Sequence, residues 1–215
     1  MVTDGVTGST AAVGLRAHSG WAALIAIAGP LDSPRVVERR RVELCDPQDP
    51  RAKQPFHAAK PLDSAKAEKL VNDCITSSQK LASKAMRSLI SDLEHRGHHP
   101  IACAVLCASG RPLPGLKAIL ASHALIHAAE GEMFRDVLAR AATECGLAVT
   151  KIKERELLAF AGSSIGLSEA KLRQYLVAFG KQLGPPWRQD EKYATLAAWV
   201  ALATPFAQRA SVRAV

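Results

Sequence analysis

His123, His127 and Glu130 stand at i, i+4 and i+7 of one apolar-periodic segment. On a helix that spacing puts all three on one face. Two imidazoles one turn apart with a carboxylate can hold a zinc-like ion, or serve as an acid–base pair. The pattern is not HExxH, because Ala124 stands where that motif has its base. The competing outcome is a polar stripe in which Glu130 pairs with a histidine or with Arg135. The stripe is favoured over a metal, so no metal ligand is assigned, and a hydrogen-bonding role toward a ligand stays open. Acid–base or single-metal work by His18, His123 and Glu130 requires these side chains to converge in one pocket.

A second group follows the first apolar segment: Arg16, His18 and Ser19. A guanidinium offers a bidentate fork for phosphate, with the imidazole donating beside it. A plain surface turn is the alternative. Ser109 and Arg111 leave an apolar run toward a helix start, where an anion is favoured, although no GxxxxGK[ST] is present. In Lys53-Gln54-Pro55-Phe56-His57 an aromatic beside a cation suits a base and its phosphate, or a loop pinned by Phe56. Trp187 and Arg188 suit a stacking platform just before Asp190, Glu191 and Lys192. The two acids also favour a helix N-terminus through its dipole. Arg39-Arg40-Arg41 is divided between two faces if the segment is a strand. Neither GxSxG, GxGxxG nor an EF-hand loop occurs, and no cofactor is identified.

The 215 residues are 48% hydrophobic and 22% charged, which suits one packed domain and excludes a disordered chain. Lys plus Arg exceed Asp plus Glu by 28 to 20, a formal +8. That balance favours nucleic acid or another phosphate-bearing partner, although charge also serves solubility. Five cysteines without a CxxC argue against structural zinc and a disulfide framework. The apolar runs are too short to span a membrane, and no secretion signal is recognised, so a cytoplasmic location is expected.

Residues 1–10 are expected to be a loose N-terminus, 11–204 one domain, and 205–215 a basic tail. Ala11–Leu15, Trp21–Ala28 and Arg35–Leu44 read as antiparallel strands bounded by Gly/Pro/Ser turns. Residues 46–61 hold four prolines and read as a long loop. Asp63 or Ser64 caps a helix to about Arg96. Gly97 to Pro100 reads as a turn, and Ile101–Ala108 as a strand buried on both faces. One long helix is expected from Leu116 to about Cys145. Gly131 inside it costs about 1 kcal/mol against Ala, which a close helix–sheet contact would explain. A short strand, two short helices and a last helix from Gln189 or Asp190 to Ala203 complete the chain.

This order resembles the ribonuclease H-like fold, in its branch of RuvC-type Holliday junction resolvases. It is α/β with three layers: a mixed central sheet, antiparallel then parallel, between helices. The local anchors are Val13-Gly14-Leu15-Arg16, the buried strand Cys103-Ala104-Val105-Leu106-Cys107, and the last helix from Asp190. In such nucleases carboxylates from separate elements hold two divalent metals. Here Arg16 replaces the first-strand acid, Leu106 stands where a second acid is expected, and only Asp190 and Glu191 remain. The resemblance implies the fold, and a bacterial source, without two-metal nuclease chemistry. Arg16, Arg111 and Lys192 would contact phosphates and Trp187 would stack a base. The alternatives are an enzyme with a rebuilt His18/His123/Glu130 site, or a structural module, dimeric through an edge strand or helix face.

Overall fold

The structure is a computed structural model and describes residues 8–108 and 112–204. The first three strands, β1 (Ser9–His18), β2 (Trp21–Ala28) and β3 (Arg35–Glu43), form an antiparallel meander. Between β1 and β2 only Ser19 and Gly20 turn the chain, and Gly20 has φ +82°. A Cβ there would also meet Cys45 Sγ at 2.6 Å, so glycine is required twice over. β4 (His98–Cys107) lies parallel beside β1, and β5 (Ala148–Lys153) parallel beside β4. The sheet order is therefore β3-β2-β1-β4-β5.

Two layers of helices cover the sheet. Between β3 and β4 run α1 (Pro50–Lys53), α2 (Pro55–Ala59) and α3 (Ser64–His95). α4 (Leu116–Leu120) and α5 (His123–Glu144) connect β4 to β5. After β5 come a 3₁₀ turn (Glu154–Glu156), α6 (Leu157–Ile165), α7 (Glu169–Leu183) and α8 (Gln189–Ala203). Val13 and Leu15 of β1 pack with Met86 and Leu89 of α3 and Phe134 of α5. Ala12 of the same strand packs with α6, α7 and α8, around Trp199. Residues alternate along β1, so one strand feeds both cores. Every residue of α8 from Ala194 through Leu202 is buried, as expected of a helix apolar on all sides.

Gly14 explains how α8 comes so close. A Cβ on it would lie 1.9 Å from the Ala194 carbonyl oxygen and 2.5 Å from the Ala198 nitrogen. The glycine between apolar residues of β1 thus brings the start of α8, with Asp190, down to the end of that strand.

Several sequence expectations need correction. The segment from Leu116 to Cys145 is two helices, because Ser122 accepts from the Leu125 N–H and caps a new start at His123. The 46–61 segment contains the one-turn helices α1 and α2, with Pro55, Phe56 and Ala59 buried. His98 to Pro100 extend β4, paired with Ser9, Thr10 and Ala11, so β1 also begins inside the expected loose terminus. Gly131 does not face the sheet: the Arg135 guanidinium lies over it, with Nη1 3.0 Å from where a Cβ would be. The uneven alternation of β3 has a local cause. Ala26 pairs with Glu38 and Ile27 with Val36, leaving Val37 as an extra residue in a bulge. The expectations for residues 1–7 and 205–215 lie outside the described residues.

Candidate functional site

Arg16 enters near the carboxyl end of β1, where parallel-sheet folds habitually place their sites. Its guanidinium grips Glu154 at both oxygens, Nε to Oε2 at 2.9 Å and Nη2 to Oε1 at 2.7 Å. Nη1 donates to Asp190 Oδ1, and the same oxygen lies 2.7 Å from His18 Nε2. Three elements therefore meet on one cation: β1, the turn after β5 and the start of α8. Arg16 is 16% exposed, and Tyr193 lies against its guanidinium at 5.3 Å.

Electrostatics lock the cluster. The Glu154 hydrogen bonds, opposed by burial and aided by Asp190, raise the Arg16 pKa further above its ordinary value. Burial alone would push the Asp190 carboxyl up, but hydrogen bonds and charge from His18 and Arg16 outweigh it and hold the pKa low. Both acids are thus already committed to a fixed organic cation.

A cavity of about 530 Å³ opens beside this cluster, lined by Arg16, Arg135, Arg155, Glu154, Tyr193 and the end of β4. Three arginines face one glutamate there. A second hollow of about 420 Å³ is lined by Trp21, Arg39, Arg41, Arg188, Asp190 and neighbouring residues. The Arg16–Asp190 pair links the two, since each partner lines one of them. Trp21 of the second hollow is stacked by His18, with ring centroids 4.3 Å apart, and the Arg41 guanidinium lies 3.8 Å from the Trp21 ring. Arg39 donates to the Gly184 and Pro186 carbonyls and so fixes the loop before α8. Arg40 also borders this hollow, but its guanidinium turns to Asp92 of α3, so the arginine run is divided between faces as strand alternation requires.

The remaining sequence candidates are dispersed. His18 is bonded to Asp190 of α8, while His123 begins α5 in the opposite layer, so His18, His123 and Glu130 do not converge. Glu130, 2% exposed, accepts instead from the backbone N–H and Nδ1 of His57, at 3.2 and 2.9 Å. Phe56 is buried and pins α2, which removes it as a base-stacking surface. Trp187 is packed away too: its indole donates to the Leu176 carbonyl at 2.7 Å and covers Gly180, where a Cβ would meet it at 2.3 Å. It belongs to the α7–α8 packing rather than to a stacking platform. Ser19 is an exposed turn residue, and Lys192 lines neither arginine cavity. Ser109 and Arg111 lie outside the described residues. Sequence reasoning missed Glu154, Arg155 and Tyr193. The usable signal was position alone: Glu154 is the first residue past the carboxyl end of a parallel strand.

Sheet order, the helices on both faces and the site edge define a ribonuclease H-like fold of the RuvC resolvase type. A Thermus thermophilus RuvC structure aligns over 94% of this chain and 97% of that one, at 14% identity and a TM-score of 0.51. T. thermophilus RuvC in complex with Holliday junction substrate aligns over 90% and 93%, at 13% identity and a TM-score of 0.50. No protein-family model and no curated protein sequence matches the chain.

The carboxylates do not fit the pair of divalent metals that such nucleases use. Glu154 and Asp190 come from separate elements, as that chemistry needs, but Arg16 engages both and occupies the space between them. A metal there would meet a permanent positive charge. Among the described residues, no helix is long and apolar enough to cross a membrane.

Proposed function

We propose that this protein binds a phosphate-bearing ligand, nucleic acid first of all, along the carboxyl edge of its sheet, and that it does so without two-metal cleavage. The observation that carries this is the arginine-lined cavity formed by Arg16, Arg135 and Arg155 where the resolvase fold has its acids. Arg155 is 74% exposed and donates from Nε to Glu156 at 3.3 Å, so a phosphate would be met by its Nη groups. Arg135 is held by Glu132 at 3.2 Å and is preset rather than floppy. The adjoining hollow with Arg41 and Arg188 extends the positive wall, which suits a polyanion better than a single small phosphate. A Holliday junction is the substrate named for one similar structure. A four-way DNA junction is therefore the first probe. A purely structural module has no need of a concave polar site, which weighs against that alternative.

The test is fluorescence anisotropy with labelled four-way junction, duplex and single-stranded DNA at two salt concentrations. Binding should weaken at least about tenfold between 50 and 200 mM salt, as counterion release from several phosphates requires. The double variant Arg135→Ala/Arg155→Ala should bind more weakly and show a shallower salt slope. Junction incubated with Mg²⁺ or Mn²⁺ should stay uncut. Absent or salt-insensitive binding at low ionic strength removes the proposal, and metal-dependent cleavage removes its second half.

A further inference from the structure

On the other helical layer, α2 and the start of α5 bring three imidazoles together. His57, His123 and His127 each offer a ring nitrogen, and these atoms lie within 4.8 Å of one another. None of the three contributes to the arginine edge. We propose that they form a binding site for one divalent transition-metal ion of the zinc class, with Glu130 as the residue that orients the ligands.

The ring arrangement is that of ligands round a centre. Ring centroids are 5.4 Å apart for His57–His123, 4.7 Å for His57–His127 and 4.5 Å for His123–His127. Interplanar angles of 78°, 63° and 80° leave no pair stacked face to face. His123 Nε2 and His127 Nε2 are 3.1 Å apart. Two nitrogens on a tetrahedral zinc, each about 2.05 Å from the metal, are separated by about 3.3 Å. The pair therefore needs almost no movement to share an ion.

Glu130 supplies the second, independent sign. Its carboxylate is 2% exposed and lies 2.9 Å from His57 Nδ1, and the neutral ring that donates there presents its Nε2 lone pair to a metal. Its bond to the His57 backbone N–H holds the residue as well as the ring. A carboxylate behind a ligating histidine fixes ring orientation and raises ligand basicity. The Ser122 cap starts α5 at His123, so His123 and His127 share a face one turn apart. Both are exposed, leaving a fourth coordination position to water or a ligand. Imidazole nitrogens select zinc, nickel or copper over magnesium.

Full-length, tag-free protein, stripped with chelator, would be titrated calorimetrically with Zn²⁺ and followed by visible absorption with Co²⁺. One ion per chain and the intense absorption of tetrahedral Co²⁺ are expected, with excess Mg²⁺ unable to compete. His123→Ala and His127→Ala alter exposed side chains, should leave the fold intact by circular dichroism, and should each weaken Zn²⁺ by about 100-fold or more. Glu130→Gln should weaken it about 10–100-fold, the range for removing a residue behind a ligand. Arg135→Ala/Arg155→Ala should leave Zn²⁺ affinity unchanged, which separates this site from the phosphate-binding edge. Lack of one-to-one binding, or binding retained in the His123→Ala/His127→Ala double variant, overturns the proposal. Unchanged affinity in folded Glu130→Gln overturns the role of Glu130.

Discussion

Arg16→Asp removes the cation that Glu154 and Asp190 share and adds a third carboxylate. Three charge-assisted hydrogen bonds are lost. Such bonds contribute about 1.5–3 kcal/mol each when shielded. Glu154 is 35% exposed, so solvent screening reduces each to about 1 kcal/mol. Repulsion among the acids brings the expected loss to about 3–4 kcal/mol. For a domain of this size 1 kcal/mol corresponds to about 2–4 °C, so Tm should fall by about 10 °C. The three acids then form the donor set that the native cluster lacks. Mg²⁺ at 100 times its Kd restores about 2.7 kcal/mol. Thermal unfolding of both proteins in NaCl and in MgCl₂ of equal ionic strength is the assay. The variant should regain about 5–10 °C in Mg²⁺ while the wild type stays flat. Equal stability of variant and wild type, or no specific effect of Mg²⁺ on the variant, would refute the view that Arg16 stands in for metal.

Gly14→Ala should lower stability by about 3 kcal/mol or more, because backbone rather than a flexible side chain blocks the new methyl; urea unfolding measures it. Trp187→Phe should cost about 1 kcal/mol through the lost bond to Leu176 and leave DNA affinity unchanged. Trp21→Ala should instead weaken DNA binding several-fold by releasing Arg41, and equal binding by both variants would contradict the assignment. Acid should act in two stages. Burial, with Arg96 and Arg35 nearby, pushes the His98 pKa down, so its neutral form stabilises the fold above about pH 6.5 and that contribution fades below it. The lowered pKa of Asp190 stabilises the fold above the ordinary carboxylate range and is lost as pH falls below about 4 through the lowered value. Urea midpoints from pH 7 to 3 test both stages, and His98→Gln should flatten the first.

The fold was legible where one element carries its own signal. β2 spans Trp21–Ala28 and α8 spans Gln189–Ala203, as composition and boundaries predict. The break at Ser122 was hidden because Ile119, Leu120, Leu125 and Ile126 keep helical spacing on both sides of it. The site was legible only in part. Arg16 and Asp190 both stand out in the sequence, yet their bond joins positions 174 residues apart. Local periodicity cannot report such a pairing. By sequence His57 reads as a ligand contact in a loop, and its link to Glu130 spans 73 residues. Glu154 carried no motif; the parallel pairing of β5 with β4 put it at the edge.

Arg16 differs from a metal in one further respect: it is covalently part of the chain. A metal-centred edge exists in two charge states, loaded and empty, and follows the ion supply of its surroundings. Here the counter-ion is translated with the protein and cannot dissociate. The edge should therefore keep its shape and charge in chelator, whereas the three-histidine cluster would be emptied by the same treatment. EDTA thus becomes a switch that addresses one face of the molecule and spares the other.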